Sequence, residues 1–151
     1  MKRLLFTLAT CCVMCACEQK TEMNPFFTEF QTEYGAPDFT KIRLEHYEPA
    51  FLKGIEEQNA EIKAIVDNPE EPTFENTIVA LDKSGGILAR VSGVFFALTE
   101  ADTNDSLTAL NEKMAPVLSE HSDNIYLNQD LYKRVADVHQ QAVSYTHLTL
   151  P

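Results

Sequence analysis

Apolar residues recur at helical spacing along most of the chain, and the first such stretch extends from about Leu44 to Asp67. Its apolar positions are Leu44, Tyr47, Phe51, Ile55, Ile62 and Ile65. Steps of three, four or seven residues place side chains on one face of an α-helix. Pro49 is tolerated only near the first turn, so we expect the helix to begin a few residues before it. Asn68-Pro69 is expected to end it.

A second amphipathic stretch begins after Thr73, which is a good N-cap residue, and Glu75 lies where the helix dipole favours an anion. The pattern predicts that this helix extends to about Thr99. Its apolar positions are Ile78, Leu81, Leu88, Val91, Phe95 and Leu98. Gly85 and Gly86 each cost roughly 1 kcal/mol in a helix relative to alanine. The pair indicates either a kink or a close approach between helices, and the pattern does not choose between them.

Two further helices follow the turn-rich segment "EADTNDS". Asp105 or Ser106 can cap the third helix, and Pro116 predicts a bend in it. Its apolar positions are Leu107, Leu110, Met114, Val117 and Leu118. The segment "HSDNIYLN" interrupts the pattern, and Asn128 can cap a fourth helix that carries Leu131, Val135 and Val138. No segment with strand periodicity competes in this region, so the predicted fold class is all-α.

The predicted helical region covers residues 31–141, and the segments on either side of it have different patterns. Residues 17–30 are predicted to be a tether, although the aromatic residues Phe26, Phe27, Phe30 and Tyr34 are expected to pack on the helices that follow. Residues 142–151 alternate between β-prone and polar side chains and end on a proline. They suit a strand, or a truncated or foreign sequence. We favour the second interpretation and leave this segment unassigned.

Residues 1–16 have the pattern of a secretory signal peptide: Lys2 and Arg3 precede an apolar run from Leu4 to about Ala16. The sequence "MCAC" at its end resembles a bacterial lipobox and predicts lipidation of Cys17. Alternatives are a secreted protein with a free Cys17, or an anchor that is not cleaved. The expected location is therefore outside the cytoplasm of a bacterium, either in the periplasm or on a membrane through a lipid anchor.

Composition narrows the possible partners. The 151 residues carry a formal net charge of −11, which argues against nucleic acid because phosphate binding depends on clustered lysine and arginine. The proportions of hydrophobic residues, 44%, and charged residues, 23%, are typical of a globular protein.

Residues that could carry out chemistry are sparse. The four histidines are His46, His121, His139 and His147, and none belongs to a His-Glu-x-x-His motif. His46 is interpreted as part of a solvated helix start, and His121 as part of an exposed helix end beside Glu120 and Asp123. Two weak ligands are too few to hold a metal ion. We therefore assign no catalytic residue and no metal ligand to this chain.

Several blocks of sequence together resemble the N-terminal region of the thimet oligopeptidase and neurolysin family, and most of all its bacterial peptidyl-dipeptidase members. The blocks are "NPFF" (24–27), "YGAPDFTKI" (34–42), "EHYEPAF" (45–51), "EIKAIVDNPEEPTFENTIVALDKSG" (61–85), "RVSGVFFALTEADTND" (90–105) and "MAPVLSEHSDNIYLN" (114–128). The resemblance covers residues 24 to about 140, and the tail after Gln141 departs from it.

This resemblance implies a zinc peptidase several times longer than this chain, built from two mostly helical lobes that flank a deep channel. The zinc ligands and the catalytic glutamate belong to the family's C-terminal half, so none of them can be carried over to these residues. The chain would then be an exported fragment that forms part of the channel wall. It would be inactive alone and would need the missing catalytic half to cleave short peptides and release C-terminal dipeptides. The alternative is a non-catalytic helical lipoprotein that binds peptides or a partner protein.

Overall fold

The computed structural model describes residues 23–149, with side chains described through Val143. Within that part of the chain the regular structure is helical and contains no strand, which confirms the predicted all-α class. Helix α1 is Leu44–Val66, α2 is Ala80–Lys83, α3 is Gly86–Ala101, α4 is Asp105–Tyr126 and α5 is Gln129–Thr149. The predicted signal peptide and Cys17 lie outside the described residues.

The helices described here include none with the length and apolar character that crossing a lipid bilayer requires.

Local sequence signals gave the ends of several helices correctly. Helix α1 begins at Leu44, five residues before Pro49, and ends before Asn68 as expected. Thr73 caps a π-helical turn at Phe74–Val79 that leads directly into α2, and its hydroxyl accepts from the Asn76 N–H at 3.1 Å. The Oδ1 atom of Asn128 accepts from the N–H groups of Asp130 at 3.1 Å and Leu131 at 3.0 Å, so Asn128 is the cap of α5.

The prediction of one long second helix from Thr73 to Thr99 is wrong. Helix α2 ends at Lys83, and α3 starts afresh after Gly85, whose φ of 76° lies in the left-handed region. The Gly85 N–H donates to Glu61 Oε2 on α1 at 2.7 Å. Glycine adopts positive φ without a Cβ clash, so the chain turns here between two separate helices instead of bending within one.

The third helix differs from the prediction in its cap and in its end. Its cap is Asn104 and not Asp105 or Ser106, because Asn104 Oδ1 accepts from the N–H groups of Ser106 at 3.1 Å and Leu107 at 3.0 Å. Helix α4 then continues across Pro116 and through residues 121–126 to Tyr126.

Close approaches occur at Gly85, where an added Cβ would lie 2.6 Å from Gln58 Nε2 on α1, and at Gly54, on α1 itself. A Cβ added to Gly54 would lie 2.7 Å from the backbone nitrogen of Leu88 on α3, whereas one added to Gly86 would meet nothing within 4 Å. Helices α1 and α3 therefore pack closely because one of them has no side chain at the crossing.

The main core lies where α1, α3 and α4 meet. Its buried members are Phe26, Tyr47, Ala50, Phe51, Val91, Val94, Phe95, Leu107 and Met114. Phe51 and Phe95 pack edge to face, with ring centroids 5.3 Å apart. This edge-to-face arrangement suits the quadrupoles of two aromatic rings, so it adds to the hydrophobic gain of burial.

The segment before α1 belongs to this core. Phe26 is fully buried and Phe30 packs against the same cluster, as predicted. Arg90 Nη1 donates to the Phe26 carbonyl oxygen at 2.7 Å and fixes the segment on α3. Phe26 and Phe30 thus hold part of the predicted tether on the helices, whereas Phe27, also expected to pack, is 36% exposed. Tyr34, also expected to pack, is 95% exposed.

A smaller cluster joins the far end of α1 to α5 through Ile62, Ile65 and Leu131. Beside it, the buried Arg134 side chain uses Nη1 to donate to the carbonyl oxygens of Asn68 at 2.9 Å and Glu70 at 3.3 Å. Arginine presents several donors in a fixed plane, so one side chain can hold the loop after α1 against α5.

The tail of the chain continues helix α5 to Thr149. Residues 142–149, which were left unassigned, are therefore helical in the structure and do not form the strand that was the other interpretation.

Candidate functional site

Among the described residues, a concavity of about 660 Å³ lies between α1 and α4, and a groove of about 630 Å³ lies between α3, α4 and α5. The groove exists because α3 and α4 each pack on α1 but make few contacts with each other. The lining residues are Gln58, Leu81, Ser84, Leu88, Ser92, Phe96, Leu118, His121, Ser122, Ile125, Tyr126, Asn128, Leu131, Tyr132 and Val135.

Helical periodicity explains how the walls of the groove form. On α3, Leu88, Ser92 and Phe96 follow one another at four-residue spacing, so they share a face. On α4, Leu118, Ser122 and Ile125 form the facing wall in the same way. The sequence pattern identified Leu88 and Leu118 as apolar helix-face positions, and the structure shows that this face borders an open groove.

A chain of polar contacts lies along the floor of the groove. His121 Nε2 on α4 is 2.7 Å from Gln58 Oε1 on α1. The Gln58 Nε2 group donates to Ser84 Oγ at 3.2 Å, and Ser84 Oγ donates to the Leu81 carbonyl oxygen at 2.8 Å. These contacts connect α4, α1 and the break between α2 and α3.

The expectation that His121 lies on an exposed helix end is wrong. Its side chain is 6% exposed and lies within α4, which does not end until Tyr126. Burial lowers the pKa of His121 below its ordinary value, because the imidazolium form would lose hydration. Its Nδ1 atom is buried without a hydrogen-bond partner in the structure.

The other described residues that the sequence analysis considered as candidates for chemistry do not line the groove. The Nδ1 atom of His46 accepts from the Arg43 N–H at 3.1 Å at the start of α1, so this histidine has a capping role that the sequence did not reveal. His139 is exposed on α5, and Glu120 and Asp123 are exposed on α4. The side chain of His147 and the whole of Cys17 lie outside the described part.

The groove combines apolar side chains with hydrogen-bonding groups. Over the described residues there is no group of three or more His, Cys, Asp or Glu side chains that could hold a metal ion. The hydrogen-bond partner of His121 is the neutral amide of Gln58, which in turn donates to Ser84. Eight of the fifteen lining residues carry a side-chain hydrogen-bonding group: Gln58, Ser84, Ser92, His121, Ser122, Tyr126, Asn128 and Tyr132.

Comparison with known proteins identifies relatives of the whole helical region. The chain is 48% identical to the dipeptidyl carboxypeptidase of Escherichia coli over 124 residues, which is 82% of this chain and 18% of that protein. It is 46% identical to the Salmonella typhimurium protein of the same name over 118 residues, 78% of this chain and 17% of that protein. Oligopeptidase A of Escherichia coli is 28% identical over 115 residues, 76% of this chain and 16% of that protein. No family model matches the chain.

These matches confirm the resemblance inferred from the sequence. The chain is homologous to the dipeptidyl carboxypeptidases and, more distantly, to oligopeptidase A. It spans less than a fifth of the length of these relatives, which is consistent with an N-terminal fragment of a peptidase of the dipeptidyl carboxypeptidase kind.

Proposed function

We propose that the chain is part of a zinc peptidase that hydrolyses short peptides and releases dipeptides from their C-termini. The observation that carries the proposal is the 48% identity to a dipeptidyl carboxypeptidase over 82% of this chain. Identity at that level over most of the chain supports a shared role as well as a shared fold.

In this proposal the helices form part of the wall of the substrate channel and have no activity alone. The proposal assigns the zinc ligands and the catalytic glutamate to polypeptide beyond this chain. Support comes from the coverage, since the chain matches only 18% of its Escherichia coli relative and most of such a polypeptide lies outside it. A bound zinc ion would supply an activated water for peptide hydrolysis. The residues described here would restrict which peptides reach it.

A chimera tests this function. The stretch of the Escherichia coli dipeptidyl carboxypeptidase that this chain matches is replaced by the matching residues of this chain, and release of C-terminal dipeptides from a short peptide is measured. We expect activity in the chimera that a zinc chelator removes and added zinc restores, and none in the isolated chain. A control chimera receives an unrelated helical segment of equal length. A chimera that folds and melts like the parent enzyme but releases no dipeptide would contradict the proposal.

A second proposal concerns location: the chain is exported and anchored by a lipid on Cys17. It is supported by Lys2, Arg3 and the apolar run that precedes the "MCAC" sequence. Attached acyl chains supply membrane affinity of roughly 0.8 kcal/mol per buried methylene. The intact mass of the protein expressed in a bacterium gives the answer. A mature N-terminus at a residue other than Cys17, or no added acyl mass, would rule lipidation out.

The alternative function is a non-catalytic helical lipoprotein that binds peptides or a partner protein, and the open apolar groove is the observation that favours it. The two functions differ in the chimera, because a free-standing binding protein has no reason to support catalysis by the remainder of a peptidase.

A further inference from the structure

The groove between α3, α4 and α5 has a lining without charge. None of its fifteen lining residues is Asp, Glu, Lys or Arg, although these types make up 23% of the chain. The only titratable imidazole in it, His121, has a lowered pKa and is neutral at neutral pH. A charged ligand would find no ion-pair partner here and would lose hydration, so the groove selects an apolar surface.

The mouth of the groove carries exposed aromatic side chains. Tyr126 at the end of α4 is 82% exposed, and Tyr132 in the first turns of α5 is 65% exposed. Tyrosine contributes large contact area with one polar atom and is enriched among the residues that dominate binding energy at interfaces. Ser92 and Ser122, on the facing walls, are small enough for an incoming backbone to approach closely.

The shape favours a helix over an extended peptide. Each of the two walls is a helical face, and a groove between two such faces accepts the ridge of a third helix. An extended peptide would bring unpaired backbone N–H and C=O groups onto a lining that is mostly apolar, whereas a helix satisfies its own backbone hydrogen bonds. A second copy of this chain is disfavoured by charge, because two molecules of net charge −11 repel each other.

We propose that this groove seats an amphipathic helix from the part of the peptidase polypeptide that this chain does not include. The chain spans only 18% of its Escherichia coli relative, so about four-fifths of such a polypeptide is available to supply the helix. The inference rests on the proposed function, because it assumes that the rest of the polypeptide is a peptidase. It adds to that function the surface at which the two parts of the enzyme join. The docked helix presents apolar residues at three- and four-residue spacing to Leu88, Phe96 and Ile125.

Thiol reactivity in the chimera described above tests the docking. Ser122→Cys places a thiol in the groove, and Ser119→Cys places one on the exposed side of the same helix, outside the groove lining. Each variant is made in the isolated chain and in the chimera. The rate of maleimide labelling is read by mass spectrometry of the peptide that contains the introduced cysteine, so other cysteines do not interfere.

We expect labelling at position 122 to be at least about tenfold slower in the chimera than in the isolated chain, because burial removes a thiol from the reagent. Labelling at position 119 should be the same in both. Equal rates at position 122 in a folded chimera would overturn the inference. If labelling at position 122 in the isolated chain becomes slower as protein concentration rises, the groove binds a second copy of the chain. If added substrate peptide slows this labelling, the groove binds substrate. Both results would also overturn it.

The two proposals fail separately. A folded chimera with a protected thiol at position 122 but no dipeptide release contradicts the proposed function and retains the docking site. An active chimera in which that thiol reacts freely retains the function and rejects the docking site.

Discussion

At the scale of single residues, His121 shows how burial selects a protonation state. Gln58 donates to Ser84 through Nε2, so its Oε1 atom is the acceptor that faces His121. The His121 Nε2 atom therefore carries the proton, and protonation of Nδ1 would place a second N–H where no hydrogen-bond partner exists in the structure. An unsatisfied buried donor costs about 1–3 kcal/mol, more when charged.

This environment predicts that stability decreases as pH falls below 6.5, the ordinary pKa of histidine. In that range the unfolded chain binds a proton at His121 and the folded chain does not, so protons favour unfolding until the lowered folded-state pKa is reached. Above pH 6.5 the contribution of His121 to stability is complete. Urea denaturation at a series of pH values measures the effect.

The matched variants are His121→Gln and His139→Gln, since His139 is exposed on α5. The first should flatten the dependence of unfolding free energy on pH just below 6.5, and the second should leave it unchanged. A slope that survives His121→Gln would mean that another group causes it.

At the scale of helices, the contact between α1 and α3 depends on Gly54. We expect Gly54→Ala to destabilise the chain by about 1–3 kcal/mol, because the new methyl group meets the backbone of Leu88 and overpacks the crossing. Gly93→Ala is the matched control within α3, where an added Cβ meets nothing within 4 Å. It should stabilise by about 0.5–1 kcal/mol through helix propensity. Urea unfolding of both variants gives the comparison, and equal effects would show that Gly54 is not a packing glycine.

Helices whose determinants are local could be predicted from the sequence. The spacing of apolar residues in α1 identifies its buried face. The side chains of Thr73 and Asn128 cap helices by accepting hydrogen bonds from backbone N–H groups two or three residues away. The break at Gly85 could not be predicted in this way. Its backbone N–H donates to Glu61, 24 residues earlier, so the turn depends on how α1 lies beside it.

The candidate site was predicted in part for a related reason. Periodicity identified Leu88, Leu118 and Leu131 as buried helix-face positions, but it does not say which neighbour covers them. In the structure these side chains border the groove. His121 was placed on the surface because its polar neighbours Glu120 and Asp123 dominate the local pattern, whereas its burial depends on Gln58, 63 residues away.

At the scale of the whole molecule, α1 is the helix on which the others depend. Helices α3, α4 and α5 and the segment Pro25–Phe27 all pack against it, and both hydrophobic clusters include it. Helix α4 is in the opposite situation. Over 22 residues its buried side chains are Leu107, Met114 and His121, one position in every seven. Leu110 and Leu118 are partly buried against the main core, and most of its other positions are exposed.

This asymmetry predicts unequal local stability in the isolated chain. Amide hydrogens in the middle of α1 should exchange at least about tenfold more slowly than those in the middle of α4, because a helix held by few buried contacts opens without unfolding the rest. Hydrogen–deuterium exchange with mass spectrometry compares peptides from the two helices after correction for intrinsic rates. In the peptidase chimera a docked helix would cover the groove face of α4, so its exchange should slow toward that of α1. Equal protection of the two helices in the isolated chain would show that α4 needs no further partner.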